Sequence, residues 1–194
     1  MKKIVIGLLL LPMTGSLIAN MGPQGFGQFK NDFFVETGTF GGDGIAKALS
    51  AGFKEIRSIE SEVGHVRYAR QRFSQDTNVY IFHGSSAEIL WDVIQNISKP
   101  ITFWLDAHIF PPVSGVKNCP LLEELEQIKR HPIKTHTILI DDMHCAGTAA
   151  FDFLTKEDLV KKILEINPDY TIRYVPGGDA GEYPVNVMVA TVEK

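Results

Sequence analysis

Val35-Glu36-Thr37-Gly38-Thr39-Phe40-Gly41-Gly42-Asp43-Gly44 follows the apolar pair Phe33-Phe34 and runs into Ile45-Ala46-Lys47-Ala48-Leu49. That order reads as a strand, a glycine-rich turn and a helix. Such a turn brings backbone N–H groups and a helix N-terminus against a ligand carrying negative charge. A glycine-rich turn by itself is a weak signal, so its surroundings decide what it means.

Downstream, strand-like and helix-like segments alternate. The pattern predicts strands at 33–37, 55–60, 78–82, 101–105 and 136–140. Helices are predicted at 44–51, 63–73, 86–96, 121–130 and 156–166. Two final strands, 171–175 and 185–192, are joined by a glycine-rich turn and read as an antiparallel ending. Strands separated by helices imply βαβ units and a parallel sheet covered on both faces. The expected fold is therefore α/β, a single Rossmann-like sheet of seven strands, mostly parallel with an antiparallel last strand. In such sheets ligands bind outside the carboxyl ends of the strands.

The strand ends carry the chemistry. The second strand ends in Glu60, twenty-four residues after Glu36, a spacing that suits hydrogen bonds to the two hydroxyls of a ribose. After the third strand, Ser85 with Glu88 matches a helix capping box, while the placement of Ser85 also suits contact with an adenine edge. The fourth strand ends in Asp106-Ala107-His108 and the fifth in Asp141-Asp142-Met143-His144. Three carboxylates at two strand ends, if those strands are adjacent, repel one another unless a cation sits between them. Asp106, Asp141 and Asp142 are thus candidate ligands of a hard divalent cation, Mg²⁺ by preference. The competing reading is that Asp142 caps a turn and Asp106 faces solvent. His108 reads either as a general base, with an ordinary pKa of about 6.5, or as a polar turn residue. His144 is a further candidate ligand, whereas His65, His83, His131 and His136 read as surface or strand-edge residues.

A length of 194 residues fits one domain, and apolar and charged fractions of 44% and 22% are those of a globular protein. A net charge of −4 without a basic run argues against a nucleic-acid partner. The N-terminus differs from this average. Lys2-Lys3, the apolar run Ile4 to Leu11 and the small residues Thr14-Gly15-Ser16 read as a secretory signal peptide or N-terminal anchor over 1–19. An export signal implies a periplasmic or secreted protein; a start at Met21 is the alternative. The apolar run is short of the roughly 20 residues of a membrane span. Residues 20–32 read as a linker and 33–194 as the domain. Cys119 and Cys145 are too few for a disulfide framework and read as two partly buried thiols, although an exported protein would permit a bridge.

Glu36-Thr37-Gly38-Thr39-Phe40-Gly41-Gly42 resembles the first motif of class I S-adenosylmethionine-dependent methyltransferases. It is most similar to that of the metal-dependent macrocin-type sugar O-methyltransferases, of the form E-T-G-x-x-x-G-G. Leu105-Asp106-Ala107-His108 and Ile140-Asp141-Asp142 resemble the same branch, so the likeness runs in motif order from Phe33 to Cys145. The resemblance implies S-adenosylmethionine as cofactor, with Glu36, Thr37, Gly38, Thr39, Gly41, Gly42, Glu60, Ser85 and Asp106 around it. It implies Asp106, Asp141 and Asp142 on the metal and a small hydroxylated acceptor. A homodimer stays open. His108 stands where that family has an acidic base in a D-x-D pattern, and Ser85 replaces an acidic residue. Two other readings stay open: a non-haem iron oxygenase using Asp106, His108 and His144, and a non-catalytic exported binding module.

Overall fold

The computed structural model describes residues 25–177 and 183–193. The segment read as a signal or anchor, 1–19, lies outside the described residues. So do 20–24 of the expected linker and most of the turn between the last two strands.

Seven strands form one sheet: β1 (Phe33–Thr37), β2 (Glu55–Glu60), β3 (Val79–His83), β4 (Ile101–Leu105), β5 (Thr137–Ile140), β6 (Tyr170–Gly177) and β7 (Tyr183–Val192). Their spatial order is β3-β2-β1-β4-β5-β7-β6. Neighbours from β3 to β5 pair in parallel, and β7 pairs antiparallel with both β5 and β6. β7 alone is therefore reversed, as the sequence pattern led one to expect. The helices are α1 (Asp43–Ala51), α2 (Val63–Arg72), α3 (Ser86–Ile94), α4 (Leu121–Arg130) and α5 (Lys156–Ile166). β1, β2, β4, α4 and α5 fall where predicted, and the other bounds move by one or two residues.

Strand side chains alternate between faces, and here both faces are dry. In β4, Phe103 and Leu105 enter one core while Trp104 enters the other. In β5, Ile138 and Ile140 part from Leu139 in the same way, and in β7 Met188 and Ala190 part from Val187 and Val189. That double burial is why these strands read as unbroken apolar runs. Leu90, Leu125 and Ile163, from α3, α4 and α5, cover the first face; Ile45 and Ala69, from α1 and α2, cover the second.

The described end of the expected linker is part of this second core. Residues Phe26–Phe29 form a 3₁₀ helix with Phe26 and Phe29 buried. Phe26 packs 4.8 Å from Phe34 and 5.0 Å from Trp104, ring centre to ring centre. The Thr102 hydroxyl donates to the Phe29 carbonyl at 2.6 Å. Each buried phenylalanine contributes roughly 1.5–3 kcal/mol, more than a free linker would leave exposed.

Two histidines expected at the surface or at a strand edge are fully buried. His136 Nδ1 accepts from the Ile101 N–H at 3.1 Å, so its proton is on Nε2, which lies 3.1 Å from His131 Nδ1. His131 Nε2 in turn donates to the Ile97 carbonyl at 3.0 Å. Cys119 and Cys145 are free and buried, and burial pushes their thiols up to about 12 and about 11.

Candidate active site

Gly38 ends β1 with φ at +82°, and a Cβ there would overlap the Asp106 carbonyl oxygen. Glycine thus lets the loop lie directly against the end of β4. Gly38 N–H donates to the Ile59 carbonyl at 2.9 Å and Asp106 N–H to the Thr37 carbonyl at 3.1 Å, fastening three strand ends together. Beneath the loop, Ser58 Oγ donates to Glu36 Oε2 at 2.5 Å and lies 2.5 Å from the Thr39 hydroxyl. Burial pushes the Glu36 carboxyl up to about 8, against the Ser58 bond. Gly44, in the first turn of α1, passes over that carboxylate so closely that a Cβ would overlap Glu36 Oε1. Glu36, Thr37, Thr39, Gly41 and Gly42 therefore shape the loop from behind, and Gly38 and Phe40 reach the cleft wall.

The cleft opens at the carboxyl ends of the parallel strands, with a volume of about 480 Å³, within the usual range for small-molecule sites. It brings together Gly38, Glu60, Ser85, Asp106, His108, Asp141 and Asp142. Glu60 Oε2 accepts from Phe40 N–H and Oε1 from Glu62 N–H, each at 2.8 Å. Each oxygen keeps a lone pair for a ligand hydroxyl. The expected Ser85–Glu88 capping box does not form: Ser85 is the N-cap of α3 without a side-chain cap bond, and it faces the cleft. The next residue is the committed one, for Ser86 Oγ donates to the buried Glu124 at 2.5 Å.

Asp106, His108 and Asp142 each offer a ligand atom, all within 4.8 Å of one another. His108 Nε2 lies 3.3 Å from Asp142 Oδ2, and Nδ1 3.7 Å from Asp106 Oδ1. Burial, then the charges of Asp141 and Asp142, hold the Asp106 carboxyl well above its usual range. Burial also lowers His108, against the pull of Asp142. Asp141 lines the same cleft but stands outside the group of three. Its Oδ1 accepts from Asp142 N–H at 2.8 Å and from Asn186 Nδ2 at 3.1 Å.

Two residues at or behind the cleft, His65 and Asn186, were not anticipated. His65, read as a surface residue, lines the wall with its ring centre 4.7 Å from that of Phe40. Asn186 stands behind the carboxylates on β7; a lone Asn inside Val185-Asn186-Val187-Met188-Val189 was the signal that could have found it. His144, the second imidazole an iron site would need, bonds through Nδ1 to Asn186 at 2.6 Å and is not in the group of three.

The segment Ile109 to Asn118 supplies Ile109, Phe110, Lys117 and Asn118 to the cleft. Ile109 N–H donates to the Asn118 carbonyl at 2.8 Å, closing the loop on itself. The Asn118 side chain ties its interior through Val113 and Val116. Phe110, Val113 and Val116 stay about half exposed.

The sequence matches no protein-family model and no curated protein, so the likeness to known proteins is one of shape. The O-methyltransferase of tomaymycin synthesis from Streptomyces achromogenes, solved with S-adenosylmethionine, superposes with a TM-score of 0.59 at 15% identity, covering 87% of this chain and 76% of its own. The O-methyltransferase from Bacillus cereus, solved with S-adenosylhomocysteine, gives 0.59 at 15% identity, over 86% and 76%. A Podospora anserina methyltransferase, also bound to S-adenosylhomocysteine, gives 0.58 at 12%, over 87% and 75%. Strand order, the single reversed strand and these superpositions agree: the chain has the fold of the class I S-adenosylmethionine-dependent methyltransferases.

Proposed function

We propose that this protein is an S-adenosylmethionine-dependent methyltransferase that methylates a hydroxyl oxygen of a small acceptor with the help of a divalent cation. One observation carries the reading. The glycine loop, the Glu60 carboxylate and the group Asp106–His108–Asp142 converge on a single cleft at the strand ends. Structural neighbours solved with S-adenosylmethionine or S-adenosylhomocysteine support the cofactor.

The residues fit both absent groups. Glu60 has acceptor capacity for two ribose hydroxyls, and Gly38 leaves the loop flush with the wall. Two carboxylates and an imidazole suit a divalent cation such as Mg²⁺ or Mn²⁺. Burial lifts Asp106 most, and the further rise from Asp141 and Asp142 is repulsion that such a charge relieves. When bound, the cofactor supplies an electrophilic sulfonium methyl, and the cation lowers the pKa of the acceptor hydroxyl.

The chain supplies position and proton handling. Glu60 and the loop hold the cofactor side, while Ile109 and Phe110 bear on the acceptor side. A near-attack geometry of this kind accounts for much of the acceleration expected of such enzymes. In its neutral form His108 offers one lone pair, either to the cation or to the acceptor proton. His108→Gln separates the two roles: lost Mn²⁺ affinity marks a ligand, and unchanged affinity with a lost turnover marks a base.

Calorimetric titration with S-adenosylhomocysteine, with and without Mg²⁺, tests the reading. Binding that weakens in Glu60→Ala supports it. No binding by the intact protein refutes it and leaves a non-catalytic use of the scaffold.

A further inference from the structure

We infer that Asn186 is a positioning residue that, bonded to both Asp141 and Asp142, presets the Asp142 carboxylate for a divalent cation, an inference that rests on the metal-assisted reading above. The Asn186 amide is buried on β7, and its Nδ2 lies 3.1 Å from Asp141 Oδ1 and 3.1 Å from Asp142 Oδ1. A primary amide carries two N–H donors, one for each carboxylate. Its Oδ1 accepts from His144 Nδ1 at 2.6 Å. The reverse orientation would aim a carbonyl at two carboxylates, so the chemistry of the neighbours fixes the amide.

What this bonding leaves open is specific. Asn186 engages Oδ1 of each aspartate, and Asp142 Oδ2 is the atom that faces His108 Nε2 at 3.3 Å. Asp142 sits at φ +52°, in the left-handed region that side chains rarely adopt. The bond from Asn186 holds the residue there. An amide also orients the carboxylates without cancelling their charge. A lysine at that place would neutralise the pair and compete with a cation.

The backbone is shaped around this side chain. β6 meets β7 with a register shift between Val175 and Gly177. A Cβ on Gly177 would stand 2.7 Å from Asn186 Cβ and 2.8 Å from Nδ2. The β5–β7 register, with Ile140 opposite Met188, brings Asn186 across from residue 142.

The experiment compares the intact protein with Asn186→Leu, which removes both donors, and Gly177→Ala, which keeps the amide and displaces it. Mn²⁺ binding, S-adenosylhomocysteine binding and thermal melting are measured on the same samples. Loss of an outer partner of this kind weakens metal binding about 10- to 100-fold. That loss is expected in Asn186→Leu, in lesser degree in Gly177→Ala, with cofactor affinity retained in both. Unchanged Mn²⁺ affinity in both variants overturns the inference and leaves the metal reading standing. Parallel loss of Mn²⁺ affinity, cofactor affinity and melting temperature also overturns it, because that is the signature of a merely structural role. A wild-type protein that binds no Mn²⁺ overturns the metal reading and the inference with it.

Discussion

His136 Nε2 lies 3.1 Å from His131 Nδ1 in the dry interior, and the arrangement works only while His136 is neutral. Protonation at Nδ1 would turn the acceptor of the Ile101 N–H into a donor. Burial, then the charges of His131 and Lys134, lower His136 from 6.5 to about 3. The unfolded chain therefore takes up this proton first. The contribution of His136 is fully present above pH 6.5 and is lost as pH falls from 6.5 toward 3. The buried acids Glu36 and Glu124, pushed up to about 8 and about 7, act in the opposite sense, losing stability as pH rises from 4.5. The informative measurement is thus the difference between wild type and His136→Asn in urea denaturation. From pH 7 to pH 5 the wild type should lose up to roughly 2 kcal/mol relative to the variant; parallel curves would refute the assignment.

Gly38→Ala should damage the cofactor loop rather than the core. The substitution meets both a positive φ and the Asp106 carbonyl. Strain of about 1–3 kcal/mol is expected, read as a lower melting temperature. A loss of S-adenosylhomocysteine affinity of tenfold or more, roughly 1.4 kcal/mol, should accompany it. Retained affinity would mean that the loop adjusts without consequence.

Asp142→Asn and Asp141→Asn should differ. Asp142 belongs to the group of three with Asp106 and His108, whereas Oδ1 of Asp141 is engaged by Asn186 and by the Asp142 N–H. Mn²⁺ affinity should fall further in Asp142→Asn, by about tenfold or more for loss of a charged ligand. Equal losses would place both aspartates on the cation.

Acceptor charge should matter. The cleft is lined by Glu60, Glu62, Asp106, Asp141 and Asp142, against Lys117, which is paired with Glu123. Matched diols carrying a carboxylate, a hydroxymethyl or an aminomethyl group test this. At low salt kcat/KM should be lowest for the carboxylate, by about tenfold, with the gap narrowing as salt is added. A carboxylate turned over as well as the others would contradict the electrostatic reading.

Periodicity and strand ends carried most of the architecture in legible form. Phe103-Trp104-Leu105 announces a strand buried on both faces, and Glu60 and Asp106 follow from asking what ends each strand. Residues whose partners are far away in the chain stayed hidden. Asn186 reaches Asp141 across 45 positions through an antiparallel register that no local pattern encodes. His131 and His136 look polar until the fold supplies acceptors and donors for both rings. Phe26 and Phe29 sit among glycines that suggest a linker, although two aromatic side chains three apart also suit a packed turn. Ser85 satisfies the capping-box pattern and makes no such bond, because the pattern records residue types and not which way the hydroxyl turns.

Asp152 follows Phe151, whose ring packs 5.2 Å from that of His108. Its carboxylate accepts from the N–H groups of Asn118 and Cys119 at 3.0 and 2.9 Å, while Asn118 closes the loop that starts at Ile109. The loop is anchored at its root and shares no hydrogen-bonding residue with the glycine turn on the other side of the cleft. It is a replaceable part. A lineage or a designer can rewrite Phe110 to Val116 for a new acceptor while Ile109, Asn118 and Asp152 keep the mounting intact, and the cofactor half of the molecule need not register the change.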